Sequence, residues 1–155
     1  MIRLSKILVP TDFSEFSKHA LQYGCELARR FGAELTLLHV VEDIYPLVAD
    51  PGVMVGSTMD FVGDLQQSAE KGLAGFVPDD WCDGLIVHRQ VVVGVPFMEI
   101  VRCANEQQMD LIIVTTHGRT GLAHVLLGSV AEKIVRRSPC PVLTVRPEGH
   151  GFVMP

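Results

Sequence analysis

The sequence predicts one α/β domain: an open five-stranded parallel sheet with helices on both faces. Three observations predict it. Five short β-type runs alternate with stretches of helical period, giving the order β-α-β-α-β-α-β-α-β. The second run, Leu35 to Val41, is apolar on both faces, as a parallel strand covered on both sides must be. The connections are crossovers rather than hairpins, and crossovers of one hand build an open parallel sheet.

Each element has a local reason. Ile7-Leu8-Val9 is a short β-type run stopped by Pro10. Thr11-Asp12-Phe13-Ser14 follows, rich in helix-capping residues. Ala20, Leu21, Gly24, Leu27, Ala28 and Phe31 then recur at helical spacing, and Gly32 is placed to end the helix in a left-handed conformation. Residues 43–57 hold two Pro, two Gly and no clear period, and read as a long loop. Residues 58–75 form a helix with Phe61, Leu65, Ala69 and Leu73 on one stripe. Leu85 to Val93 is the third strand. Pro96 then sits in the first turn of a helix with the stripe Phe97, Ile100, Val101 and Ala104. Asp110 leads into the fourth strand, Leu111 to Val114, and a polar glycine-bearing loop covers 115–128. Ser129 and Glu132 are spaced as a capping box ahead of Val130, Ile134 and Val135. Val142 to Val145 is the fifth strand. Residues 1–147 make the domain, and 148–155 read as a flexible tail.

Composition narrows the function. The chain has 155 residues, 48% of them hydrophobic and 20% charged, enough for a real core. Its net charge is −5, with no dominant basic patch, so nucleic acid is not an expected partner. No apolar run approaches a membrane span of roughly 18 residues, and no apolar segment near the start resembles a secretory signal. Residues 43–84 carry one cation against eight anions, whereas 85–155 carry seven against five. An anionic ligand is therefore expected toward the C-terminal half. Cys25, Cys82, Cys103 and Cys140 form no C-x-x-C pair, and the six histidines no H-E-x-x-H; no metal site is expected, and the thiols read as free.

In open parallel sheets ligands bind beyond the carboxyl ends of the strands, where the strand order reverses. Pro10-Thr11-Asp12, the end of strand two at Val40-Val41, and the 115–129 loop meet that edge. The chain has neither G-x-G-x-x-G nor G-x-x-x-x-G-K-[ST], so it carries no dinucleotide fingerprint and no Walker P-loop.

Four segments resemble the universal stress protein family. They are Lys6 to Ser14 (KILVPTDFS), Leu37-Leu38-His39-Val40, Thr116 to Gly121 (THGRTG) followed by Leu127 to Lys133 (LGSVAEK), and Ser138 to Val145 (SPCPVLTV). They occur in the family's order across residues 4–147. The resemblance implies a Rossmann-like five-stranded parallel sheet of order 3-2-1-4-5, a cytoplasmic setting, homodimers and, in one branch, ATP binding. That branch carries Gly, two residues, Gly, nine residues, Gly, then Ser or Thr. Here Gly118, Gly128 and Ser129 match, while the first glycine is replaced by Thr115. A β-branched side chain thus stands where backbone should approach phosphate.

The resemblance assigns the site to Pro10, Thr11, Asp12, Val40, Val114, Thr115, Gly118, Arg119, Gly128, Ser129 and Val130. Helix-start amides after Gly128 favour an anion. The Ser129 hydroxyl either adds a phosphate contact or caps its helix through the Glu132 amide. Arg119 either reaches a terminal phosphate or is solvated. Asp12 either accepts ribose hydroxyls or caps the following helix, and the Val40 backbone would read the adenine edge. His117 and His124 lack a nucleophile partner, so no catalytic residue is assigned. The expected function is a cytoplasmic stress-response regulator binding ATP, with or without Mg2+, or a related adenine nucleotide. The nucleotide is a conformational ligand or is hydrolysed slowly, so the chain is at most a slow ATPase. The alternative is a nucleotide-independent dimeric interaction module. An adenine-nucleotide-activating enzyme ranks lower, because the H-x-G-H signature is missing. Val142 to Val145, uncharged and at the sheet edge, is expected to pair across a twofold axis.

Overall fold

The chain forms strands β1 (Lys6–Pro10), β2 (Glu34–Glu42), β3 (Val87–Gly94), β4 (Leu111–Thr115) and β5 (Val142–Val145), with helices α1 (Glu15–Phe31), α2 (Val55–Phe76), α3 (Pro96–Glu106) and α4 (Ser129–Arg137). The computed structural model describes residues 2–42, 55–116 and 128–146. The strands make one sheet of order β3-β2-β1-β4-β5, and every neighbouring pair is parallel. This is the predicted architecture, with the order reversing between β1 and β4.

Alternation along the strands sorts two cores. Ile7, Val9, Leu35, Leu37, Leu111 and Ile113 face α1 and α2, meeting Ala20, Leu21, Ala28, Leu73 and Phe76. The intervening Leu8, Leu38, Ile112 and Val114 face α3 and α4, meeting Ile100, Ala104, Ala131 and Ile134. A period of two on a sheet buried on both sides demands this continuous apolar run. Gly24 lets α1 lie close to the sheet, since a Cβ there would stand 2.7 Å from a Val9 methyl.

The predicted stops hold. Gly32 closes α1 at φ 65°, in the left-handed region, with its N–H bonded to the Ala28 carbonyl. Pro96 opens α3 in its first turn, where its missing N–H costs no helical bond. Three expectations need correction. Residues 55–57, read as loop, already belong to α2, despite Gly56. The third strand begins at Val87, because Leu85 donates its N–H to the Cys82 carbonyl in a turn. A short 3-10 turn, Asp79–Trp81, precedes it unannounced. The rest of the predicted 43–57 loop, most of the 115–128 loop and the 148–155 tail lie outside the described residues. No described helix is long and apolar enough to cross a membrane.

A strand-end cleft as candidate functional site

The carboxyl ends of β1, β2 and β4 open into a cleft of about 750 Å3, walled on one side by α2 and closed by the start of α4. It brings together Pro10, Thr11, Asp12, Val40, Val114, Thr115, Gly128, Ser129 and Val130. The remaining predicted residues, Gly118 and Arg119, lie outside the described residues.

The corner between β1 and α1 is a chain of hydrogen bonds. Ser14 is the N-cap of α1, its hydroxyl oxygen accepting the Ser17 N–H at 3.2 Å. Asp12 does not cap the helix. Its Oδ1 accepts the Ser14 N–H at 3.0 Å and the Ser14 hydroxyl at 2.5 Å, so it orients the residue that does. Asp12 also lines the cleft. Ser17 donates its one hydroxyl proton to the Ser14 carbonyl at 2.8 Å. The Thr11 hydroxyl, 2.9 Å away, must then be the donor to Ser17, and it accepts the Phe13 N–H at 3.0 Å. Thr11 lines the cleft with its polar groups committed to the fold: its N–H donates to the Leu38 carbonyl at 2.9 Å, and its side chain serves the corner.

Phe13 and His39 form a floor that sequence reasoning missed. His39 is buried, and its Nδ1 stands 2.8 Å from the Thr11 carbonyl. A carbonyl only accepts, so Nδ1 carries the proton. The ring stacks on Phe13 at 4.2 Å between centroids, and Phe13 meets Phe76 of α2 edge-on at 5.6 Å. Phe13 has φ 63°, a left-handed conformation that costs a non-glycine residue roughly 1–2 kcal/mol. The two ring contacts and the Thr11 bond hold it there. The available signal was a lone histidine in an apolar strand, in register with the α1-facing Leu35 and Leu37.

The opposite end is built from backbone. Thr116 donates its N–H to the Val145 carbonyl at 3.0 Å, extending the ladder past Thr115. The Thr116 carbonyl accepts the Gly128 N–H at 2.7 Å, which ties the start of α4 to the end of β4. Gly128, not Ser129, is the N-cap. The expected capping box does not form, because the Glu132 N–H donates to the Gly128 carbonyl at 2.9 Å and the Glu132 carboxylate pairs with Arg136. Ser129 is thus the first helical residue, exposed at the cleft mouth. Gly128 has an ordinary φ of −63°. Its glycine is required by proximity instead, since a Cβ would stand 3.3 Å from the Thr116 carbonyl oxygen. The first amides of α4 have no partner within the helix, and the helix dipole adds partial positive charge there. The cleft therefore offers carboxylates from Asp12 and Glu42 and amides from Ser129, Val130 and Ala131. Among the described residues, no group of three His, Cys, Asp or Glu side chains could hold a metal ion.

The universal stress protein family matches residues 4–146. The chain belongs to that family. Universal stress protein MJ0531 of Methanocaldococcus jannaschii is 35% identical over 144 residues, covering 91% of this chain and 81% of its own. Universal stress protein MJ0577 of the same organism is 33% identical, covering 94% of this chain and 96% of its own. The solved structure of MJ0577 superposes with a TM-score of 0.80. A universal stress protein solved in complex with cAMP shares the fold at 24% identity and a TM-score of 0.61, covering 94% of this chain and 98% of that one.

Proposed function

We propose that this universal stress protein binds ATP, or a related adenine nucleotide, in the strand-end cleft. The observation that carries the reading is the pairing of the Asp12 corner with the α4 amino terminus across one cleft. A carboxylate acceptor suits ribose hydroxyls, and helix-start amides suit phosphate. Asp12 takes the ribose, and the Val40 backbone takes the adenine edge. Phosphate sits against Gly128, whose lack of a side chain lets it approach, and takes the Ser129 and Val130 amides beside Thr115, with Gly118 and Arg119 completing the phosphate end. Pro10, Thr11 and Val114 shape the wall. A universal stress protein of the same fold was solved in complex with cAMP, an adenine nucleotide. Mg2+ accompanies the phosphates as counter-ion, carried by the nucleotide. The nucleotide acts as a conformational ligand or is turned over slowly, in a cytoplasmic regulator of stress responses. The protein works as a homodimer paired through β5.

A second reading has its own observation. Thr115 places a β-branched side chain at the cleft where the family's ATP-binding pattern has glycine. Under that reading the protein is a dimeric interaction module that binds no nucleotide. Thermal unfolding separates the two. A native-state ligand at about 100 times its Kd adds about 2.7 kcal/mol. For a domain of this size that raises Tm by roughly 5–10 °C. A flat response up to millimolar ATP rejects the nucleotide reading.

A further inference from the structure

Cys25 and Cys82 are 57 positions apart, yet the fold brings their sulfurs to 3.3 Å. Cys25 lies on the buried side of α1, and Cys82 follows the 3-10 turn, half-buried. One side-chain bond ties the two segments, and backbone bonds shape the turn. Arg29, one helical turn beyond Cys25, donates from Nη2 to the Trp81 carbonyl at 2.9 Å. Trp81 donates to the Pro78 carbonyl, and Leu85 donates to the Cys82 carbonyl, each at 3.0 Å. Phe76 and Val77, just before this turn, are buried in the same apolar cluster as Cys25.

The two thiols differ in access. Cys25 is 2% exposed. Cys82 borders a shallow cavity of about 260 Å3 with Pro78, Leu85 and Arg89. Burial, reinforced by the hydrogen bond with Cys82, pushes the Cys25 thiol up to about 12. Cys25 thus keeps its proton, and Cys82 is the sulfur that a small molecule in the cavity can reach. The other cysteines lie against polar side chains instead, Cys103 beside Gln90 and Gln107, and Cys140 beside Ser138.

We infer that Cys25 and Cys82 form a redox-modification site that reacts with a peroxide and closes to an intramolecular disulfide. The Cys82 thiolate attacks one oxygen of hydrogen peroxide. The O–O bond breaks, hydroxide leaves, and Cys82 becomes a sulfenic acid. The Cys25 sulfur then attacks the Cys82 sulfur, the S–S bond forms as the S–O bond breaks, and the Cys25 proton leaves with the hydroxyl as water. Two thiols lose two electrons and two protons, and the peroxide becomes two waters. Closing from 3.3 Å to a bonded distance of about 2.05 Å is within reach of side-chain rotation. The bond ties the exit of α2 to α1 and closes a loop containing β2 and α2. Such a loop limits the unfolded chain and raises Tm by roughly 10 °C.

The test uses the full chain, reduced and then exposed to hydrogen peroxide. Thiols are blocked with N-ethylmaleimide in denaturant and counted by intact mass, with peptide mapping and a thermal melt alongside. The expected result is loss of two of the four thiols. A peptide joining Cys25 to Cys82 appears, with a Tm rise of roughly 10 °C that dithiothreitol reverses. Cys82→Ser should keep all its remaining thiols. Cys25→Ser should stop at a Cys82 sulfenic acid that dimedone traps, and Cys25→Ala serves if serine unfolds the core. The inference is overturned if four thiols survive in the wild type. It is equally overturned if Cys82 proceeds to sulfinic acid beside an unmodified Cys25, or if the disulfide joins two chains.

Discussion

Replacing His39 by alanine should loosen the cleft floor and destabilise the protein by about 3 kcal/mol. The magnitude comes from three losses. The hydrogen bond from Nδ1 to the buried Thr11 carbonyl disappears, worth about 1 kcal/mol. The stack on Phe13 goes, worth about 0.5–1.5 kcal/mol. Removing the ring of a buried residue leaves a space, and such truncations add roughly another 1 kcal/mol or more. Phe13 then keeps its left-handed backbone with one ring contact fewer. His39→Phe separates these parts, because it retains the stack and loses the ring's hydrogen bonding; it should cost about 1–2 kcal/mol. Urea unfolding followed by circular dichroism measures both, with an unchanged slope confirming that native and unfolded states are comparable. A double-mutant cycle with Phe13→Ala should return a coupling of about 1 kcal/mol. A loss below about 1 kcal/mol for His39→Ala would refute the assigned energetics. So would a phenylalanine variant as unstable as the alanine one.

Three further outcomes are expected. Gly128→Val should weaken ATP at least about tenfold while costing only about 1 kcal/mol of stability, since its φ suits any residue but its Cβ meets the Thr116 carbonyl; calorimetry and urea unfolding read the two effects. Thr115→Gly should tighten ATP measured by calorimetry at a cost of about 1 kcal/mol in β4, where Thr115 pairs with Val145; weaker binding would show that the threonine hydroxyl donates to phosphate. Thr144→Lys, exposed on the edge strand β5, should split a dimer by placing like charges across the axis; light scattering that finds a single 17.0 kDa chain in the wild type would remove the dimer from the account.

The strands and their alternation with helices were legible because they rest on local signals, while the strand order came with the family resemblance. Alternating apolar runs, Gly32 past the first helix and Pro96 at the third each act within a few residues. The start of α2 was not legible, since Val55-Gly56-Ser57 carries no helical signal of its own. At α4 the sequence offered a serine with a glutamate three residues on. The tie from Gly128 to the Thr116 carbonyl shifted the cap by one residue, a tertiary effect no spacing rule contains. Asp12 was expected at the strand-end edge and does line the cleft there, yet its bond to the capping Ser14 needed the corner's geometry. The Phe13–His39 floor and the Cys25–Cys82 contact join segments 26 and 57 residues apart. Only the assembled sheet brings them together.

The most direct test of nucleotide binding is native mass spectrometry of the purified protein, with and without added ATP and magnesium. The account predicts a folded species carrying one adenine nucleotide per chain, displaced in part by competing ATP analogues and lost on Gly128→Val. A spectrum of folded chains without nucleotide at millimolar ATP would contradict it.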